Sequence, residues 1–225
     1  MASEDQINVF IEKEPGSFRL IFTLGIAGFL SGLILVSLYL FTKPIIENNK
    51  AEALKAAIFK VLPGTGSFKT FVLNNGKLTE ADEKTKEPEK IFLGFNTNNE
   101  ITGFAIHGRE IGFQDNIGVI FGYKSEDKSI IGYEVLECKE TPGLGDKIFK
   151  DEKFVKNIAE LNVEPEIVVV KKGDKKNPNE VEAISGATIS SKAVVKLLNN
   201  SLNKWKLPIE NYMSKNNIKL TARDE

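Results

Sequence analysis

Residues 185–191, Ser-Gly-Ala-Thr-Ile-Ser-Ser, combine small side chains with hydroxyls and stand directly before the most regular amphipathic stretch of the chain. Small side chains admit a ligand close to the backbone, and Gly186 tolerates a positive φ. The first N–H groups of a helix have no intrahelical acceptor and sit at the positive end of its dipole, so they hold an anion such as a phosphate. Thr188, Ser190 and Ser191 add hydroxyls to such a site. The same hydroxyls have a second reading, as caps that satisfy the helix's own N–H groups. Spacing alone leaves both open.

Residues 140–147, Glu-Thr-Pro-Gly-Leu-Gly-Asp-Lys, follow a strand-like run. Pro142-Gly143 suits the central positions of a type II turn, and Gly145 keeps the backbone bare. Bare backbone can lie against a flat ring and offer it N–H and C=O groups. A tight turn ending in a solvated Asp146-Lys147 pair explains the same residues. Neither glycine pattern is a P-loop or a dinucleotide fingerprint. His107, placed at a strand end beside Gly108-Arg109-Glu110, reads as a surface loop residue or a lone acid–base group. Cys138 reads as a small residue near a strand end. Lys171, Lys172, Lys175 and Lys176, around Gly173-Asp174, form a solvated charged loop or a face for lipid headgroups.

Composition removes several kinds of chemistry. The 225 residues carry 30 Lys+Arg against 31 Asp+Glu, a formal net charge of −1. Such a balance lacks the cationic surface that nucleic-acid binding needs. One cysteine excludes an intrachain disulfide and a Cys-rich metal site. One histidine excludes a His-pair zinc motif and leaves little room for a Ser-His-Asp triad, so no metal ligand or catalytic set is assigned.

The elements that position these residues fall into two parts. Residues 20–42 carry no charge and exceed the about 20 apolar residues that cross a ~30 Å hydrocarbon core. Gly25, Ala27, Gly28, Ser31 and Gly32 suit close helix packing in lipid. A cleaved signal peptide fits less well, because the run starts late, is long and has no A-x-A-like site before Lys43. A buried soluble helix is rarely apolar all round. Basic residues flank both ends, so charge counting leaves the orientation open. Beyond Pro44 the spacing predicts a helix ended by Pro63-Gly64. Residues 74–90 read as a solvated loop, and strands are predicted over 91–95, 101–106, 117–123 and 130–136, the last two as a hairpin. A helix over 152–161 and a short strand over 166–170 follow. A helix over 189–205 then places Val194, Leu197, Leu198, Leu202 and Trp205 on one stripe. The expected organisation is a tail over residues 1–19, a transmembrane helix over 20–42 and one α+β domain over 43–225, with an antiparallel sheet and flanking helices.

Taken together, the span, Thr42-x-Pro44-x-Ile46-x-x-Asn49, Val61-Leu62-Pro63-Gly64, the Glu140–Ile148 run and the Ser185–Ser191 run resemble the G subunit of the Rnf electron transport complex. The last two motifs are shared with the C subunit of the sodium-translocating NADH:quinone reductase. The resemblance covers residues 18–205. It implies an FMN-binding domain in which Thr188 is esterified to the FMN phosphate by a flavin transferase, with one FMN per chain. It also implies that Ser185, Gly186, Ala187, Ser190 and Ser191 surround the attachment point and that Glu140, Thr141, Gly143, Leu144 and Gly145 contact the isoalloxazine.

The same resemblance implies an electron-transferring flavoprotein subunit of an ion-translocating complex that works between ferredoxin and NAD. The chain would be single-pass in the cell inner membrane, with its folded domain on the periplasmic side. Its partners would be the other subunits, the flavin transferase during maturation and the bilayer, with no nucleic acid. Two positions depart from the family: Glu182 stands where Asp usually begins the attachment motif, and Cys138 where His often precedes the glycine loop. A membrane-anchored FMN-binding sensor, or the quinone-reductase subunit itself, is the alternative reading of the same motifs.

Overall fold

A computed structural model describes residues 16–82 and 89–216. The expected tail over residues 1–15 and the middle of the expected loop, 83–88, lie outside the described residues. The chain divides into two compact units, Met1–Ala51 and Glu52–Glu225.

Apart from Gly16, the described part of the first unit belongs to α1, an α-helix over Ser17–Val61 that contains Pro44. Its most apolar window has a mean hydropathy of 2.3, and every residue from 16 to 51 is exposed. A core helix buries one stripe; this one exposes Leu, Ile and Phe on all sides, as lipid contact requires.

The second unit is an α+β domain. Six strands form an antiparallel sheet in the order β2-β1-β3-β4-β5-β6. They are β1 (Ser67–Asn74), β2 (Lys77–Ala81), β3 (Lys90–Phe95), β4 (Ile101–Ile111), β5 (Asn116–Lys124) and β6 (Ser129–Glu137). Two short helices, α2 (Lys147–Lys150) and α3 (Glu152–Ala159), lead to a parallel pair, β7 (Val168–Val170) and β8 (Glu180–Glu182), and then to the long α4 (Thr188–Lys215).

Both faces of the sheet centre are covered, which explains why β5 is buried at nearly every position. On one face Ile91, Leu93, Phe104, Ile106, Val119 and Phe121 pack with the apolar stripe of α4. On the other, Phe92, Ala105 and Ile120 receive Ala57, Ile58, Val61 and Leu62 from the end of α1 and the residue after it. Side chains alternate along a strand, so neighbours serve opposite cores. Gly122 and Gly132 face each other across β5 and β6. A Cβ on either would collide with the Val61 carbonyl oxygen, so these glycines form the seat on which the end of α1 rests.

The predicted strands over 91–95, 101–106, 117–123 and 130–136 are present as β3 to β6 with the expected hairpin, the helix over 152–161 as α3 and the strand over 166–170 as the shorter β7. Strands β1 and β8 lie where no strand is predicted, the helix beyond Pro44 is part of α1, and three further corrections concern β2, β4 and α4. Residues 74–90 are not all loop: Asn75-Gly76, both at positive φ, turn β1 into β2. Strand β4 extends to Ile111, so His107 lies within the sheet, opposite Ile120, not at a strand end. Helix α4 continues past Trp205 through a buried Pro208, because Ile209 and Met213 prolong its apolar stripe and Tyr212 packs edge-on against Phe71, 5.1 Å between centroids.

Candidate functional site

Helix α4 starts where Gly186, at φ +83°, turns the chain out of residues 183–185. Its N-cap is Ala187, which has no side-chain capping bond. The hydroxyls are therefore not spent as N-caps. Ser191, fully buried, donates to the Ala187 carbonyl at 2.9 Å and accepts from the Ile184 N–H at 3.1 Å. Ser190 donates to Glu140 Oε2 at 2.6 Å. Thr188 is exposed, and among the described residues its hydroxyl has no hydrogen-bond partner. The N–H groups of this first turn remain open to an anion.

Glu140 ties three segments together. It is only 6% exposed, and its Oε1 accepts the N–H groups of Phe113 at 2.9 Å and Gln114 at 3.0 Å. Those residues belong to the tight turn between β4 and β5, closed by Gly112 N–H on the Asp115 carbonyl at 2.9 Å. Thr141 adds a bond from its hydroxyl to Gln114 Oε1 at 3.1 Å. A side chain at Gly112 or Gly145 would collide with the Glu140 carboxylate, so both glycines make room for it. Burial pushes the Glu140 carboxyl up in pKa, but the Ser190 hydroxyl and the backbone N–H groups outweigh it and hold it below 4.5.

The glycine loop is the anticipated turn. The Leu144 N–H donates to the Thr141 carbonyl at 3.1 Å across Pro142-Gly143, and Gly143 has φ +78°. Its end is not solvated, however. Asp146 is buried and its Oδ2 accepts from Lys150 Nζ at 2.6 Å, a bond that lowers its pKa.

These segments enclose a cavity of about 340 Å³. Glu140, Thr141, Leu144 and Gly145 line it from one motif; Gly186, Ala187, Thr188 and Ser190 line it from the other, with Ile189. Of the residues predicted for the site, Gly143 lies at the exposed turn apex, Ser185 lines a neighbouring cleft and Ser191 is buried behind the first turn of α4, so none of these three lines the cavity. Phe113, 66% exposed, lines it although the sequence reading passed over it; the available signal was an aromatic inside a Gly-Phe-Gln-Asp turn. Phe113, Leu144 and Ile189 supply apolar surface beside the helix N-terminus, which is the chemistry a ring-bearing phosphate ester requires.

His107 and Cys138 stand apart from this cavity. Burial, then Arg109, lowers the His107 pKa to about 4, so it is neutral at pH 7. Burial raises that of the half-buried Cys138 thiol.

Residues 112–203 match the FMN-binding domain family. The chain is 28% identical to the G subunit of the ion-translocating oxidoreductase complex of Methanosarcina acetivorans, over 82% of this chain and 92% of that protein. It is 29% identical to the G subunit of the Na(+)-translocating ferredoxin:NAD(+) oxidoreductase complex of Acetobacterium woodii, over 85% and 94%. Among solved structures, the C subunit of the Na(+)-translocating NADH-quinone reductase of Parabacteroides distasonis shares the fold, with a TM-score of 0.58 at 21% identity, over 72% of this chain and 94% of that one.

Proposed function

We infer that this chain, with an FMN-binding domain and similarity along most of its length to the G subunits of ion-translocating oxidoreductases, is an electron-transfer subunit of such a membrane complex, carrying FMN as a phosphoester on Thr188. The observation that carries the reading is the meeting of the glycine loop with the start of α4, around an exposed threonine whose hydroxyl is free of protein partners.

The residues present fit that group. The open N–H groups of the first turn of α4 would hold the phosphate. Glu140, through Ser190, fixes that turn against the glycine loop, and Phe113, Leu144 and Ile189 would cover the apolar ring and shed water from it. When bound, flavin supplies one- and two-electron transfer, and the protein's part is position and electrostatics. Covalent attachment suits a carrier outside the cytoplasm, where a dissociated cofactor would be lost. In this reading the complex works between ferredoxin and NAD, the folded domain faces the periplasm, and a flavin transferase modifies Thr188.

The test is an intact mass of the chain co-produced with a competent flavin transferase, followed by fragmentation of the Thr188 peptide. A gain of one FMN less one water on Thr188 is expected, and Thr188→Val should lose the covalent flavin while keeping the Tm of the unflavinylated chain. An unmodified mass, or an adduct on another residue, would overturn the assignment.

A further inference from the structure

A second cavity, about 540 Å³, is lined by the residues just before those of the flavin cavity: Ala183, Ile184 and Ser185. Five lysines converge on it from separate elements: Lys147 of α2, Lys153 and Lys156 of α3, and Lys172 and Lys175 of the β7–β8 connection. None of the five makes an ion pair among the described residues. Elsewhere in the same unit lysines find carboxylates, as Lys128 and Lys206 do with Glu164, Lys60 with Glu134 and Lys196 with Glu110.

The acids of the cleft are largely committed. Asp151 caps α3, its Oδ1 accepting from Lys153 N–H at 3.0 Å and Phe154 N–H at 3.3 Å. Glu182 Oε1 accepts the Gly173 N–H at 3.0 Å. That bond holds the connection in the turn, with Gly173 at φ +88°, that carries Lys172 and Lys175. Glu160 is the one carboxylate of the lining with no hydrogen bond or ion pair among the described residues. The lining therefore carries two more positive than negative side chains, around a concave space whose volume falls within the about 300–1,000 Å³ typical of small-ligand sites.

We propose that this cleft binds a polyvalent phosphate group. Lysine ammoniums are compact point charges that answer charge density more than planar shape, and a phosphate concentrates charge in a volume the cleft accommodates. The group has two sources of the same chemistry, a soluble phosphate ester and an anionic phospholipid headgroup. The proposal is independent of the flavin reading.

The full chain in neutral detergent is titrated calorimetrically with inorganic pyrophosphate and, separately, with short-chain phosphatidylglycerol and phosphatidylcholine. Saturable binding of pyrophosphate or phosphatidylglycerol is expected, weakened by added salt as exposed charges are screened. The Lys172→Gln/Lys175→Gln double variant should lose about tenfold in affinity, whereas Lys77→Gln, on β2, should lose none. Thr188→Val should bind as the unaltered chain does. Pyrophosphate alone binding identifies the soluble source, and phosphatidylglycerol alone identifies the headgroup. Saturation by neither, equal binding of phosphatidylcholine, or an unchanged double variant would overturn the proposal.

Discussion

At the residue scale, a carboxylate that accepts two backbone N–H groups and a serine hydroxyl cannot be replaced by a methyl group without leaving those donors unpaired. Glu140→Ala is expected to cost about 1–3 kcal/mol, read as a lower midpoint in denaturant, and to loosen both the Phe113 turn and the start of α4 in hydrogen exchange. The Glu140 pKa lies below its ordinary 4.5 in the folded chain. The clasp therefore contributes stability above pH 4.5 that is lost as pH falls through the depressed value. Glu140→Gln should flatten that part of the acid limb. His107 adds a second pH dependence of the same sign. Its pKa falls from 6.5 unfolded to about 4 folded, so the unfolded chain binds more protons between those values. Stability should drop as pH is lowered from 6.5 towards 4, and His107→Gln should remove that slope in a urea titration series. Both glycine motifs and the threonine between the small residues were readable as letters. What stayed hidden was contact across distance: Ser190 looks like a local cap, and only folding brings it to a carboxylate fifty positions earlier.

At the scale of elements, the end of α1 is held by what the sheet omits. Gly122→Ala or Gly132→Ala would push a Cβ into the Val61 carbonyl oxygen, and overpacking of this kind costs typically about 1–3 kcal/mol. A lowered Tm is expected for each, with increased hydrogen exchange at residues 57–62 while α4 stays protected. An unchanged Tm would mean that the seat is not tight. The central strands were legible because burial on both faces makes continuous apolar runs, and α4 because its stripe repeats at helical spacing. Strand β2 was not, since its Lys-Leu-Thr-Glu-Ala run is an exposed edge paired only with β1. Its Asn-Gly turn was the available hairpin signal. The far half of β4 was missed for a related reason: His-Gly-Arg-Glu has no apolar alternation, and its strand conformation comes from the ladder to β5.

At the scale of the whole molecule, an uncharged stretch exposed on every side precedes a domain with a complete core of its own. The exposed apolar surface of residues 20–42 is large enough that water is a poor solvent for it, so the full chain should stay with the membrane fraction through alkaline carbonate washing. Which side the domain occupies is a separate question, because the charges flanking the helix do not decide it. If Thr188 carries FMN as proposed, the extracytoplasmic side is expected, because a covalent tether has its clearest use where a lost cofactor cannot be recovered. A C-terminal alkaline phosphatase fusion, which needs an oxidising compartment to form its disulfides, is expected to be active on the full chain, and a fluorescent-protein fusion that matures only in the cytoplasm is expected to be dark. The reverse pattern, with Thr188 still carrying flavin, would put attachment and electron transfer on the cytoplasmic face. It would leave the cofactor assignment standing while removing the retention argument for the covalent bond.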